Sequence, residues 1–313
     1  MKRCPISYEL IADNETYSVN GLKSLSPQLQ KLEPLSLSAE EQRQEAVSRA
    51  GKMSIQGVQT KLSARLKVKE GFFNIVDEQG QYILKTQSAH YPELPENEAI
   101  TMTLASTIGL DVPVHGLIYA KDQSMAYFIK RFDRFGHHQK LALEDFTQLS
   151  GKSRDTKYQS SMEQVIDIIA QFCTFPRIEF IKLFKLTLFN YLVGNEDMHL
   201  KNFSIITKNQ KNYLSPAYDL LNTTIAMINA KEELALPLKG KKNNLTKNDF
   251  LKYFAAERLQ LNQGIIDDII NDFLIKIPHW FPLIENSFLS KQMKEKFQNL
   301  LQERKEKLFG KAN

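Results

Sequence analysis

Three side chains in the second half of the chain have the types and the spacing that phosphoryl transfer requires. Asp197 is followed five positions later by Asn202, and a second carboxylate, Asp219, comes after a short apolar hairpin. In this arrangement the first carboxylate orients an attacking hydroxyl, while the amide and the second carboxylate supply oxygen ligands for Mg²⁺. Asp and Asn at this spacing also occur by chance in caps and turns, so the prediction depends on the residues upstream.

The upstream residues predict the parts that would hold a nucleotide. Alternating runs separated by turns predict five antiparallel strands between residues 62 and 134. Lys85 ends the third strand, and Glu98 lies on a helix that Pro95 begins and Gly109 ends. This is the order of the ion pair that holds the α- and β-phosphates in protein kinases. The ordinary alternative for each residue alone is a solvated strand lysine and a surface acid near a helix N-terminus.

Two connecting segments complete the predicted nucleotide site. Gly57 lies in a loop before the first strands, and the backbone N–H groups of residues 56–61 could contact phosphate oxygens. An ordinary hairpin entrance has the same composition, so one glycine is weak evidence by itself. The chain leaves the sheet through residues 130–132, which we predict to be a hinge beside the adenine.

Apolar residues repeat at helical spacing after residue 132. They predict a long buried helix over 178–193 and later helices over 247–260, 264–276 and 290–308. Near the start, Ser38 can cap a short helix that Gly51 closes.

The predicted fold class is therefore α/β (α+β), bilobal and protein-kinase-like. A small N-terminal lobe over 1–132 would contain the Gly-rich loop, the sheet and the Lys/Glu pair. A larger helical C-terminal lobe over 133–313 would contain the catalytic and Mg²⁺-binding loops.

Composition limits the class of protein. The chain has 313 residues, 42% of them hydrophobic, which can bury a large core. The net charge of +5 is mild and predicts no dedicated nucleic-acid surface. Cys4 and Cys173 form neither a disulfide framework nor a zinc pattern. The start lacks an apolar signal core and no stretch is long enough to cross a bilayer, so we expect a cytoplasmic protein without membrane contact.

Seven motifs occur in an order that is typical of one family. They are SIQGVQTKL, YILKT, NEAITMTLA, FIKRFDR, LEDFTQLSG, NEDMHLKNFSI and LSPAYDLL. The chain resembles the HipA family of bacterial serine/threonine kinase toxins, most strongly over residues 50–240. It is similar in particular to the short HipT members, which lack an N-terminal subdomain, because only about fifty residues precede the loop.

The resemblance implies roles for particular residues. Asp197 would be catalytic, Asn202 and Asp219 would bind Mg²⁺, and Ser54 would be the site of autophosphorylation. The residues implied to bind ATP are Gln56, Gly57, Val58, Gln59, Thr60, Lys61, Lys85, Glu98, Lys130, Arg131, Phe132, His199, Asn202, Tyr218 and Asp219. A phosphate on Ser54 would place negative charge where the ATP phosphates lie, which predicts inhibition. Some short relatives have Ser-Ile-Ser where this chain has Ser-Ile-Gln, which argues against two-site control.

The resemblance also implies a reaction and partners. The chain would be the toxin of a toxin–antitoxin system, transferring phosphate from ATP to a serine of an aminoacyl-tRNA synthetase, the tryptophanyl or glutamyl enzyme, and inhibiting translation. Implied partners are a HipB-like DNA-binding antitoxin, through which DNA would be contacted only indirectly, and a small HipS-like protein.

Two other classes of function stay open. A small-molecule kinase of the aminoglycoside type would consume ATP with a sugar or alcohol and label no protein. A non-catalytic nucleotide-binding regulatory module would bind ATP and tolerate Asp197→Asn.

Overall fold

The computed structural model describes residues 2–49, 59–136, 139–152, 156–227 and 230–310. The chain forms two compact units, and it passes between them more than once. The first unit comprises residues 1–100, 113–139 and 285–290, and the second comprises residues 101–112, 140–284 and 291–313. The lobe boundary expected at residue 132 stays a prediction.

The first unit is built on an antiparallel sheet. Its elements in chain order are β1 (Lys2–Arg3), β2 (Leu10–Ile11), α1 (Val19–Leu25), α2 (Ala39–Arg49), β3 (Lys61–Lys67), β4 (Phe72–Ile75), β5 (Tyr82–Lys85), the start of α3 (Leu94–Thr107), β6 (His115–Tyr119), β7 (Met125–Lys130) and the β8–β9 pair (Arg134–Phe135 and Gln139–Lys140). The main sheet has five strands in the order β4-β3-β5-β7-β6. The five strands predicted from alternating patterning are therefore confirmed.

The N-terminal segment covers apolar side chains of this sheet. Leu62 on β3 pairs with Leu84 on β5, and both are buried in a cluster that also contains Leu22 and Leu25 from α1. Burial of these side chains drives the segment onto the sheet, at roughly 25 cal/mol for each Å² of apolar surface removed from water. The N-terminal segment thus packs on the main sheet.

A capping box starts α2. The Ser38 hydroxyl accepts a hydrogen bond from the Glu41 backbone N–H at 3.2 Å, and the Glu41 carboxylate accepts one from the Ser38 N–H at 2.7 Å. This reciprocal pair satisfies backbone groups that the first helical turn would otherwise leave unbonded. The predicted cap at Ser38 is confirmed, whereas the predicted end at Gly51 lies outside the described residues.

The second unit is mostly helical. Its elements are the end of α3, β10 (Leu143–Asp145), α4 (Phe146–Leu149), α5 (Met162–Phe172), α6 (Pro176–Val193), a 3₁₀ helix (Leu200–Asn202), β11 (Ser204–Lys208), β12 (Lys211–Leu214), α7 (Thr223–Ala226), a π-helix (Asp249–Arg258), α8 (Gln263–Glu285) and α9 (Lys291–Phe309). The predicted hairpin after Asn202 forms as β11 and β12, and β10, which the sequence did not predict, adds a third strand.

Two helices differ from their predicted form. The predicted helix 264–276 continues as α8 through Pro278 and Pro282 to Glu285, because Trp280 and Ile284 extend its buried face. The segment predicted as a helix over 247–260 forms a π-helix. In a π-helix each N–H donates to the carbonyl five residues earlier, as the Leu259 N–H does to the Phe254 carbonyl at 2.9 Å. No helix in the described ranges combines the length and apolarity needed to span a membrane.

Candidate active site

The segment 194–202, which we call the Asp197 loop, begins where α6 ends. Gly194 closes the helix in the left-handed conformation with φ of +73°. A Cβ at this position would lie 2.6 Å from Leu300 Cδ2 and 2.7 Å from Thr224 Oγ1, so both the conformation and the space require glycine. The turn that follows is held by Asn195, whose side-chain oxygen accepts a hydrogen bond from the Asp197 N–H at 3.2 Å.

Asp197 and Asn202 are joined by a hydrogen bond. The Asn202 side-chain N–H donates to the Asp197 backbone carbonyl at 2.8 Å, across the 3₁₀ helix. Asn202 is buried, whereas the Asp197 side chain is 42% exposed. The spacing of five positions therefore closes a loop that holds the Asp197 backbone and leaves its carboxylate accessible to solvent.

Tyr218 ties the segment before Asp219 to this loop. Its hydroxyl donates to the Lys201 carbonyl at 2.9 Å and shares a second hydrogen bond with the Ser204 hydroxyl at 2.6 Å. Burial raises the pKa of Tyr218, so the phenol stays protonated and can donate. Asp219 itself has φ of +54°, a left-handed conformation that Asp tolerates better than most residues. Asp219 is thus held close to the loop that contains Asn202.

Asn202 and Asp219 have the chemistry of magnesium ligands. Mg²⁺ prefers carboxylate and amide oxygen and usually shares its remaining positions with water and substrate phosphates. In the part of the chain that the structure describes, no group of three or more His, Cys, Asp or Glu side chains could hold a metal ion. Two side-chain ligands would leave the other coordination positions of such an ion to water and substrate phosphates.

His199 is a buried polar side chain beside Asp197. Its Nε2 lies 3.8 Å from Asp197 Oδ1. Burial lowers the pKa of His199, with the Asp197 carboxylate opposing this effect, so the imidazole is neutral at pH 7. Its Nδ1 is buried and has no hydrogen-bond partner within the described residues. A buried nitrogen of this kind can serve a bound ligand, which fits the predicted position beside a nucleotide.

Lys85 and Glu98 form a buried ion pair in the first unit. The Lys85 amine lies 2.6 Å from Glu98 Oε1 and 2.8 Å from Oε2, and the two residues are 4% and 2% exposed. Lys85 ends β5, where its cross-strand neighbours are Lys61 on β3 and Tyr127 on β7. The amine also lies 5.5 Å from the centre of the Tyr127 ring. The strand and the helix thus bring together the two residues that the sequence pairs.

The other described site residues of the first unit lie at or next to the ends of strands. The Gln59 side chain donates to the Thr86 carbonyl at 3.0 Å, and the Thr60 carbonyl accepts from the Thr86 N–H at 3.3 Å. Lys130 ends β7, Phe132 follows two residues later, and Arg131 forms an ion pair with Asp133 at 2.8 Å. Ser54, Gln56, Gly57 and Val58 lie outside the described residues. The nucleotide-binding roles of all these residues stay predictions.

Tyr158 contacts Asp197, which sequence reasoning missed. Its hydroxyl donates a hydrogen bond to Asp197 Oδ1, and its ring meets the His199 ring edge to face at 4.9 Å between centres. Burial and the hydrogen bond to Asp197 raise the pKa of Tyr158, so its hydroxyl is protonated at neutral pH. Tyr158 lies in a polar stretch without periodicity, and no sequence signal marks it.

Contacts of Glu196 and Arg304 support the Asp197 loop. Neither residue was predicted from the sequence. The Thr224 hydroxyl donates to Glu196 Oε1 at 2.6 Å, and Arg304 Nη2 lies 3.9 Å from the same oxygen. Arg304 also donates to the Tyr191 carbonyl at 2.6 Å, near the end of α6. Burial raises the pKa of Glu196, and Thr224 and Arg304 oppose this effect. An arginine among the apolar stripe of α9 is the one sequence signal that could have indicated this contact.

The sequence of the chain is similar to those of known proteins. Residues 53–281 match the model of the HipA-like C-terminal domain. A putative kinase of Haemophilus influenzae is 31% identical over 305 residues, which cover 85% of each chain. The serine/threonine-protein kinase toxin HipA of Shewanella oneidensis is 30% identical over 190 residues, which cover 55% of this chain and 43% of that relative.

Two solved structures share the fold. The HipA of Shewanella oneidensis, solved with HipB and its operator DNA, has a TM-score of 0.71 at 20% identity and covers 96% of this chain and 80% of that chain. The Helicobacter pylori proinflammatory kinase CtkA has a TM-score of 0.55 at 19% identity and covers 82% and 91%. The α/β fold is therefore the bilobal, protein-kinase-like fold that the sequence predicted. The chain belongs to the HipA-like C-terminal domain family.

Proposed function

We propose that the protein is a Mg²⁺- and ATP-dependent serine/threonine protein kinase and the toxin of a toxin–antitoxin system, of the short HipT type. The buried Lys85–Glu98 pair is the observation that carries the proposal. Replacing a buried ion pair by apolar side chains is often neutral or stabilising, so packing alone does not require this pair. In protein kinases a lysine on a strand, paired with a glutamate of the following helix, holds the phosphates of ATP.

The described site residues have separate roles in the proposed reaction. Lys85 would contact the phosphates of ATP and Glu98 would hold its amine in place, while Asn202 and Asp219 would hold Mg²⁺. When bound, the ion neutralises charge on the transferred phosphate. Asp197 orients the acceptor hydroxyl and takes its proton as the new oxygen–phosphorus bond forms and the bond to ADP breaks.

The remaining ATP contacts follow the resemblance. Tyr218 and His199 would lie beside the nucleotide, Gln59, Thr60 and Lys61 would contribute to the loop over it, and residues 130–132 would border the adenine. The neutral, buried Nδ1 of His199 supports a ligand at this position.

The proposed substrate is a serine of an aminoacyl-tRNA synthetase, the tryptophanyl or glutamyl enzyme, whose phosphorylation would inhibit translation in the cytoplasm. Autophosphorylation at Ser54 would silence the kinase, because a phosphate adds about −1.5 to −2 charges near the ATP phosphates.

The proposed partners are proteins. A HipB-like antitoxin is supported by the solved Shewanella oneidensis complex of HipA with HipB and operator DNA. DNA would be contacted only through that partner. A small HipS-like protein is the second proposed partner, and it follows from the HipT assignment.

Intact mass after incubation with Mg²⁺ and ATP tests this function. A phosphate-free preparation of the protein should gain one phosphate, and both Asp197→Asn and Ser54→Ala should remain unmodified. Incubation with each candidate synthetase should then label its serine. Consumption of ATP with a sugar or alcohol acceptor and no labelled protein would instead establish a small-molecule kinase. Binding of ATP without consumption, unaffected by Asp197→Asn, would establish a non-catalytic regulatory module.

A further inference from the structure

The hydroxyl group of Tyr158 contacts Asp197, the carboxylate that orients the acceptor hydroxyl in the proposed function. Its phenol donates to Asp197 Oδ1, which is the hydrogen bond that an acceptor hydroxyl must make before it is phosphorylated. The phenol is protonated, as an acceptor hydroxyl is before transfer. Asp197 therefore already binds an internal hydroxyl in this conformation.

Several contacts hold Tyr158 in this position. Tyr158 lies in a turn over residues 156–158. The Lys157 carbonyl in this turn accepts a hydrogen bond from the Leu200 N–H at 3.3 Å, which attaches the turn to the Asp197 loop. The ring packs edge to face on His199. The amines of Lys157 and Lys242 lie 4.9 Å and 5.9 Å from the ring centre. Tyr158 is nevertheless 40% exposed, so its side chain can turn into solvent without opening the core.

The second unit contains a tyrosine that serves as a matched comparison. Tyr253 also donates its hydroxyl to a carboxylate, that of Glu163 at 3.0 Å, and has the Lys239 amine 5.1 Å from its ring centre. The contacts of Tyr158 and Tyr253 are thus of the same kind, and they differ in which carboxylate is engaged. Of these two tyrosines, Tyr158 is the one that contacts Asp197.

We infer that Tyr158 is an internal competitor of the acceptor, which keeps Asp197 occupied until a substrate hydroxyl displaces it. This inference rests on the proposed kinase function and adds a regulation of the same site. The acceptor position at Asp197 Oδ1 cannot hold the phenol and an attacking hydroxyl or water at the same time, so transfer from that position requires Tyr158 to leave. A protein substrate that binds over Tyr158 would thereby couple its own binding to the release of Asp197.

The test measures ADP formation from Mg²⁺-ATP without a protein substrate, with every protein in the Ser54→Ala background, so that the proposed autophosphorylation site does not compete with water. A hydrogen bond to a charged group is worth enough to change occupancy at least about tenfold, so Tyr158→Phe should raise kcat for this hydrolysis by roughly fivefold or more. Tyr158→Ala, which also removes the ring, should raise it at least as much. The KM for ATP should not change. A higher KM without a higher kcat would instead indicate that the substitution had loosened the structure. Tyr253→Phe should leave both constants unchanged.

Each outcome bears on the inference. A rise in kcat in both Tyr158 variants that Asp197→Asn abolishes in the Tyr158→Ala background supports it. Rates equal to or below that of the unsubstituted protein, with turnover that still depends on Asp197, would overturn the inference and leave the kinase function standing. A phosphate mapped to Tyr158 would also overturn it, because the phenol would then be an acceptor and not a competitor. Nucleotide binding without ADP formation in every protein would overturn both the inference and the kinase function.

Discussion

The amine of Lys85 contacts both carboxylate oxygens of Glu98, at 2.6 Å and 2.8 Å, in a part of the first unit that excludes almost all solvent. The strand end and the helix each bring one charge, and neither charge is solvated. A buried pair of this kind is sensitive to the loss of one member, because the other charge then stays buried without compensation.

The first prediction concerns this pair. Glu98→Gln should lower the free energy of unfolding by about 3 to 5 kcal/mol, because Lys85 loses its counter-charge. Lys85→Met combined with Glu98→Gln should lower it by clearly less than the two single changes together. Urea unfolding of the unsubstituted protein, Lys85→Met, Glu98→Gln and the double variant measures both effects. Lys31→Met, which removes an exposed pair with Glu33, is the control and should change little. Additive losses in the double variant would contradict the prediction.

The second prediction compares two glycines that end helices in the left-handed conformation. Gly109 has φ of +75° and nothing within 4 Å of an added Cβ, whereas Gly194 has φ of +73° and three atoms within 2.8 Å. Gly109→Ala should therefore lower the free energy of unfolding by about 1 kcal/mol, the usual cost of that conformation. Gly194→Ala should lower it by more than twice as much and should reduce kcat, because the Asp197 loop must shift. Equal losses in thermal unfolding would show that the close contacts relax freely.

The third prediction concerns Arg304, which lies beside Glu196 of the Asp197 loop. Arg304→Met removes the hydrogen bond to the Tyr191 carbonyl and the cation that lies 3.9 Å from the buried Glu196 carboxylate. We expect the free energy of unfolding to fall by about 3 kcal/mol. We also expect a lower kcat with little change in the KM for ATP, because the loop that carries Asp197 loses a support. Lys296→Met, at an exposed position of the same helix α9, is the control. A change in KM alone would contradict a role at this loop.

The fourth prediction is a pH dependence of stability. Burial raises the pKa of Glu96 to about 7 from an ordinary value of 4.5, with hydrogen bonds from Gln87 opposing the rise. The folded protein therefore binds the proton more tightly than the unfolded chain does, so this carboxyl favours folding at low pH. Its contribution is lost as the pH rises from about 4.5 through 7, and the loss is roughly 3 kcal/mol.

Glu96→Gln should remove most of this decline, because glutamine stays neutral at every pH. Urea unfolding at pH 4.5 and pH 8 should show the variant gaining on the unsubstituted protein at the higher pH. Glu70→Gln, at an exposed position of the same unit, should leave the slope unchanged. A parallel decline in the Glu96→Gln protein would assign the pH dependence to other groups.

Much of the first unit could be predicted from local sequence patterns. Alternation with period two between turn residues identifies the five strands, since successive side chains of a strand point to opposite faces of the sheet. The Ser38 cap and the glycine ends of α3 and α6 follow from the hydrogen-bonding needs of helix termini. The expected end of a helix near residue 276 was wrong, because buried Trp280 and Ile284 continue α8 past its prolines.

The sequence by itself determined the composition of the site: Asp197 and Asn202 are close enough along the chain for one loop to join them, and Lys85 and Glu98 lie on adjacent elements. Only the tertiary structure decided what contacts Asp197 and what supports the Asp197 loop. Tyr158 is 39 positions before Asp197, and Arg304 is 113 positions after Tyr191. Contacts at such separations depend on how helices and turns pack, and spacing along the chain does not specify which residues meet.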